Sequence, residues 1–160
     1  MIQRIQTLYL LAACILCVVT LCTPLAFFST ADGEPVATLY NLWMTKADGS
    51  RTFTYWALFA LLLAVSTLSF MDIFLFRRRA FQMRVASFSM ILLVGWYLAY
   101  AAFVWLFMSA GQAEFRPHWS VSLPFAAIVL LYLAFRGIYK DEQLVRSLDR
   151  LRWNLFSNTL

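Results

Sequence analysis

The sequence predicts an all-α integral membrane protein: a bundle of four transmembrane helices with a cytoplasmic amphipathic helix at its C-terminus and a small external hairpin. Three observations predict this fold class. Of the 160 residues, 62% are apolar and only 13% are charged, a composition outside the range of soluble domains. The charges are confined to short stretches between four long apolar runs. The basic residues are concentrated on one side of those runs.

Four apolar runs define the predicted spans, at about residues 5–28, 53–76, 84–110 and 119–139. Each run is long enough to cross a bilayer as a helix, which takes roughly 20 residues. The first run begins so close to Met1 that it also fits a signal peptide cleaved after Ala31. Its length exceeds that of a signal core, so a retained helix is favoured and a three-span protein remains the alternative.

The segment between the first two spans, residues 29–52, is the main external loop. Residues 36–43 and 52–55 carry β-branched and aromatic side chains. Between them, Asp48 and Gly49 favour the positive φ angles of a hairpin turn. We therefore expect a short β-hairpin here, with an irregular loop as the alternative.

Basic residues lie mainly on one side of the predicted spans, with ten on that side and three on the other. The three are Lys46, Arg51 and Arg116. The ten are Arg4, Arg77, Arg78, Arg79, Arg84, Arg136, Lys140, Arg146, Arg150 and Arg152. By the positive-inside rule the richer side, with both termini, is cytoplasmic. The same bias explains the net charge of +5 without a nucleic-acid partner.

The sequence contains no motif of a catalytic or cofactor site. Cys14 and Cys17 have the spacing of a redox dithiol, but they lie midway along the first span, where a thiolate is neither stabilised nor accessible. His118 has no second His or Cys near it in the sequence, and the external acids show no metal-ligand spacing. We therefore expect a protein without enzymatic activity, cofactor or metal.

Asp72 is the only acidic residue within a predicted span. An ionisable group in hydrocarbon is costly enough to be a functional candidate, here for relaying a proton or binding a cation. However, Asp72 lies near Arg77, Arg78, Arg79 and Arg84 in the sequence. A structural ion pair is therefore the favoured interpretation.

A cytoplasmic amphipathic tail, residues 140–160, is predicted to follow the bundle of residues 1–139. Leu144, Leu148 and Leu151 recur at helical spacing, and charged residues occupy the other faces. Such a helix buries its apolar stripe against the membrane surface, the bundle or another protein. Its mixed charge favours a protein contact over simple adhesion to lipid.

The two ends of the chain carry the most specific motifs, MIQRIQT at residues 1–7 and KDEQLVRSLDRLR at residues 140–152. These ends resemble those of a small bacterial inner-membrane family, the domain of unknown function 4293. The resemblance implies four spans over the whole length and no known activity. It also implies a shared cytoplasmic surface formed by Gln3, Arg4, Gln6, Asp141, Arg146, Ser147, Asp149 and Arg150.

We therefore expect an accessory or assembly subunit that is embedded in the lipid bilayer and acts by contact through its cytoplasmic surface. Its partner is a membrane or cytoplasmic protein or a second copy of the chain. Its docking surface combines the residues implied by the resemblance with Leu144, Leu148 and Leu151. A small transporter or channel-like protein that uses Asp72 is the alternative.

The predicted topology is testable with alkaline phosphatase, which folds only where its disulfides form, outside the cytoplasm. The enzyme fused after Leu160 should be inactive, and the enzyme fused after Ala31 should be active. Phosphatase activity in colonies, normalised to the amount of fusion protein, is the measurement. An active fusion at Leu160 would contradict the predicted topology.

Overall fold

A computed structural model describes residues 2–30, 32–75, 78–111 and 114–157, with side chains described throughout these ranges except for residues 2–4, 79 and 149–157. The described residues contain the predicted four long helices. They are α1 (Ile2–Cys22), α2 (Trp56–Phe74), α3 (Arg79–Ala110) and α4 (Leu123–Ser157). Each helix packs against its neighbours in chain order, and α4 packs against α1, so that the four form a closed ring.

The first helix ends six residues before the predicted limit of the first span, at Cys22 rather than at residue 28. The reason is Pro24, which has no N–H to donate and disfavours helical geometry in the residue before it. The Thr20 carbonyl would normally accept from the N–H of residue 24, so it is left without its regular helical partner. Phe27 and Phe28 consequently belong to a strand.

Five short strands form one antiparallel sheet at one end of the bundle. They are β1 (Ala26–Ser29), β2 (Pro35–Leu39), β3 (Met44–Lys46), β4 (Arg51–Thr52) and β5 (Glu114–Pro117), in the spatial order β4-β3-β2-β1-β5. The first four lie between α1 and α2, whereas β5 comes from the connection between α3 and α4. The fold is therefore not purely α-helical. The expected pairing of residues 36–43 with residues 52–55 is wrong, because the chain already turns back where the N–H of Tyr40 donates to the Trp43 carbonyl. As a result β2 pairs with β3, and β3 pairs with β4.

The predicted Asp-Gly turn is confirmed between β3 and β4. Gly49 has a φ of +79°, a conformation that glycine adopts without steric cost. The Asp48 carboxylate accepts hydrogen bonds from the hydroxyl of Ser50 at 2.6 Å and from its backbone N–H at 2.9 Å. These bonds lower the pKa of Asp48, because they favour its charged form.

One face of the sheet covers the end of the bundle at which α1 ends and α2 begins. Ala26, Phe28, Leu39 and Met44 are buried on that face. The ring of Phe28 lies 4.3 Å from the ring of Phe107 in α3, measured between centroids. The core of the sheet is thus continuous with that of the helices.

Asn41, in the turn between β2 and β3, connects the sheet to two helices. Its side-chain amide donates a hydrogen bond of 2.7 Å to the Thr20 carbonyl of α1, the group that Pro24 leaves without a helical partner. Its oxygen accepts a hydrogen bond of 3.2 Å from the Trp96 indole of α3. Asn41, Thr20 and Trp96 are all fully buried.

The outer surface of the bundle is apolar. All four helices are long and apolar enough to cross a membrane, and only 22–33% of the residues in their apolar windows are buried inside the protein. Large side chains such as Leu8, Phe70, Leu98 and Phe125 are more than half exposed. A soluble protein does not present a continuous apolar surface of this kind.

The last helix is longer than the predicted fourth span. A 3₁₀ turn, Trp119–Ser122, leads directly into α4, which runs without a break into the predicted tail. The chain therefore has no separate tail helix within the described residues.

Replacing Asn41 with Ala should destabilise the protein by about 2–4 kcal/mol, because the variant leaves the Thr20 carbonyl and the Trp96 indole buried without this partner. The measurement is thermal unfolding in a mild detergent. Asp48→Ala, in an exposed turn of the same sheet, is the control and should lower the melting temperature much less. Equal melting temperatures for the two variants would contradict the role given to Asn41.

Candidate functional site

The functional candidates lie toward the terminal end of the bundle, where α1 begins, α2 ends and α3 begins. There Gln6 of α1 packs against Gly137 of α4, and the Gln82 amide of α3 donates a hydrogen bond of 3.2 Å to the backbone carbonyl of Asp72. α4 has 35 residues, which span about 52 Å at the usual helical rise. Its last part, residues 140–157, lies on this side of the bundle and begins beside the first turns of α3. We name this part the α4 overhang.

Asp72 is fully buried near the end of α2, with 0% of its surface exposed. Neither carboxylate oxygen has a hydrogen-bond partner among the described residues, which include the side chains of Arg78 and Arg84. The side chain of Arg79 and all of Arg77 lie outside the described residues. A carboxyl group in this position has lost its hydration without a compensating contact from those neighbours, which is costly. Its chemistry is that of a proton or cation acceptor.

Other buried polar side chains accompany Asp72. Gln6, Ser69, Gln82 and Ser89 are each at most 7% exposed. Ser69 lies one helical turn before Asp72 and therefore shares its face of α2. Gln6 Nε2, Ser69 Oγ and Ser89 Oγ have no hydrogen-bond partner within the described part of the chain. The interior of the bundle thus has unused hydrogen-bonding capacity toward the terminal end.

The α4 overhang presents an apolar stripe to its surroundings. Leu144 and Leu148 lie one turn apart and are 57% and 64% exposed. On another face, Arg146 forms an ion pair of 2.6 Å with Glu142, a spacing that supports an isolated helix. The stripe therefore lies on a regular helix and is free of side-chain cover from the bundle.

Gln6, which was predicted to belong to the docking surface, is instead buried between α1 and α4. A Cβ atom on Gly137 would lie 3.1 Å from Gln6 Cγ, so the glycine provides the space in which this glutamine packs. Asp141 is half-buried at the start of the overhang. The side chains of the other predicted surface residues lie outside the described part of the chain: Gln3, Arg4, Asp149, Arg150 and Leu151.

The sequence analysis did not identify Gln82 as a residue that bonds one helix to another. The signal was present, because one amide lies between Arg79 and Arg84 in the first turns of α3, where the rest of the helix is apolar. An isolated amide at such a position often bonds to a neighbouring helix. Its partner, the backbone carbonyl of Asp72, follows only from the packing of α2 against α3.

The cysteines and acids offer little redox or metal chemistry in the described residues. Cys14, Cys17 and Cys22 are free thiols, and Cys14 Sγ lies 3.4 Å from the Ser66 carbonyl of α2. Across residues 2–30, 32–75, 78–111 and 114–157, no group of three His, Cys, Asp or Glu is placed to hold a metal ion.

A family model described as a domain of unknown function (DUF4293) matches residues 2–151 of the chain. The match covers nearly the whole length and confirms the resemblance seen at the two ends of the sequence. No curated protein matches the chain.

Replacing Asp72 with Leu should stabilise the protein by about 1–3 kcal/mol, because it removes a buried polar group that has no partner among the described residues. The variant keeps the hydrogen bond from the Gln82 amide, because that bond goes to the backbone carbonyl of residue 72. Thermal unfolding in detergent measures the change. Thr67→Ala, at an exposed position of the same helix, is the control and should change the melting temperature little. A melting temperature several degrees lower for Asp72→Leu alone would show that the carboxylate has a stabilising partner.

Proposed function

This chain belongs to the DUF4293 family, and from its structure we propose that it is a non-enzymatic accessory or assembly subunit of a bacterial inner membrane. It acts by docking a partner protein, or a second copy of itself, on its cytoplasmic face. The α4 overhang is the centre of the docking surface.

Membrane embedding is supported by the outer surface of the bundle. The four long apolar helices leave most of their apolar side chains partly or fully exposed, and hydrocarbon is the solvent that suits such a surface. The antiparallel packing of α1 against α4, seen in the contact of Gln6 with Gly137, is consistent with both termini at one end. In the sequence, ten of the 13 basic residues fall on the same side of the four apolar runs as the two termini, which supports a cytoplasmic orientation.

The observation that carries the proposal is the exposed stripe of Leu144 and Leu148. Two leucines more than half exposed and one turn apart in the last part of α4 form an apolar stripe of the kind used in helix-in-groove recognition. The Glu142–Arg146 pair on another face keeps the overhang regular and soluble. An apolar stripe between charged faces gives a partner both affinity and orientation.

A second function, proton- or cation-coupled transport, is favoured by one specific observation. Asp72 is fully buried and its carboxylate has no partner among the described residues. Ionisable groups in that position commonly serve ion pathways. Proton uptake by proteoliposomes that contain a pH-sensitive dye tests this function, which requires that Asp72→Asn abolish an uptake shown by the wild type.

The docking proposal predicts that the double variant Leu144→Asp, Leu148→Asp loses the partner. Carboxylates on the stripe cannot enter an apolar site without a large desolvation penalty, so co-purification should fall at least about tenfold. The measurement is quantitative mass spectrometry of proteins that co-purify in mild detergent from the native host.

The control is Lys140→Asp, which changes the net charge by the same two units at an exposed residue outside both the predicted docking surface and the groove wall. This control should keep the partner. If the leucine double variant retains every wild-type partner while Asp72→Asn abolishes transport, the docking function is wrong and the transport function is supported.

A further inference from the structure

A groove lies along the seam between α3 and α4, near the terminal end of the bundle. Its volume is about 930 Å³, and it is lined by residues from the first half of α3 and by residues of the middle part of α4, from Phe135 to Ser147. This volume is in the range of sites that hold a small molecule rather than a single ion. Asp72 and the Leu144–Leu148 stripe are not part of its wall.

The wall changes from apolar to charged along the groove. Phe88, Ile91 and Phe135 line the part nearer the middle of the bundle, whereas Arg84 and Arg146 line the part nearer the terminal end. Phe88 and Ile91 are 53% and 66% exposed, so the groove opens sideways along an apolar surface. From Arg84 to Ile91 the helical rise is about 10 Å. A ligand that fits this wall has a polar head and an apolar body.

The charges of the wall favour one negative charge in the ligand. Arg84 is exposed and has no ion pair among the described residues. Arg146 pairs with Glu142, which also lines the groove. Two guanidinium groups and one carboxylate leave a net charge of +1, which suits a monoanion. Gln143 adds neutral hydrogen-bonding capacity at the same end.

We infer that this groove binds one anionic glycerophospholipid of the surrounding leaflet. The phosphodiester lies between Arg84 and Arg146, and an acyl chain lies along Phe88, Ile91 and Phe135. Basic pockets between transmembrane helices on the cytoplasmic side recognise lipid head groups in this way. An amphipathic peptide fits the site less well, because the groove opens sideways where the bundle contacts hydrocarbon and only one end is polar.

The lipid site rests on the membrane embedding proposed above but not on the docking function. The groove and the leucine stripe use different faces of α4, so loss of one leaves the other intact. Lipid binding and partner co-purification are separate readouts, and their failures can be distinguished.

Native mass spectrometry of the full chain in a mild detergent tests the site. Phosphatidylglycerol, phosphatidylethanolamine and phosphatidylcholine are added separately at equal concentrations, and bound lipids are counted. The wild type should bind one phosphatidylglycerol in preference to the two zwitterionic lipids. Arg84→Gln should weaken this binding about tenfold, since it removes a charge-assisted contact.

Two further variants control for charge and folding. Arg136→Gln removes the same charge from an exposed site on α4 that does not line the groove, and it should change binding by less than about twofold. Ser87→Trp keeps both arginines and fills the groove, so it should also abolish binding. Equal binding of all three lipids by the wild type, or unchanged binding in both Arg84→Gln and Ser87→Trp, overturns the proposal.

Photocrosslinking identifies the occupant in native membranes. A benzoylphenylalanine in place of Tyr139, which lines the groove, should yield an adduct with the mass of one phospholipid. An adduct with a polypeptide instead would show that the groove is a protein interface and would overturn the lipid assignment.

Discussion

The hydrogen bonds of the Asn41 amide join the sheet to the bundle, and the rest of the fold depends on them. Pro24 ends α1 because it has no N–H, and it leaves the Thr20 carbonyl without its regular helical partner. Asn41 replaces that partner at 2.7 Å and accepts from the Trp96 indole at 3.2 Å. All three groups are buried, so water cannot substitute for these contacts. The junction fixes the path from α1 into the strand on which β5 pairs.

The two ends of the bundle differ in how their elements are connected. At the sheet end, long-range hydrogen bonds link distant segments: the backbone N–H of His118 donates to the Leu25 carbonyl at 2.9 Å, and Tyr97 donates to the Val121 carbonyl at 2.6 Å. At the terminal end, the described helices meet mainly through apolar packing and the Gln82–Asp72 bond. The buried carboxylate of Asp72 is locally unfavourable, and stabilising contacts elsewhere in the fold offset such a group.

Two faces of α4 explain how one helix supports two proposed contacts. Residues such as Tyr139 and Arg146 face α3 and line the groove, whereas Leu144 and Leu148 point elsewhere and remain exposed. The proposed lipid and the proposed partner can therefore be bound together. The helix is continuous from the bundle into the overhang, so a partner on the overhang is held at a fixed distance from the proposed membrane surface.

The sequence by itself determined the features that are local. Long uncharged runs specified four helices, and Asp48 with Gly49 specified a turn, because span length and turn geometry depend on neighbouring residues alone. Tertiary structure decided the rest. The pairing of β1 with β5 joins residues almost ninety positions apart, and only the ring of helices brings them together. The same packing buried Asp72, placed Gln6 in the space beside Gly137 and opened the groove between α3 and α4, since each depends on which faces of the helices meet.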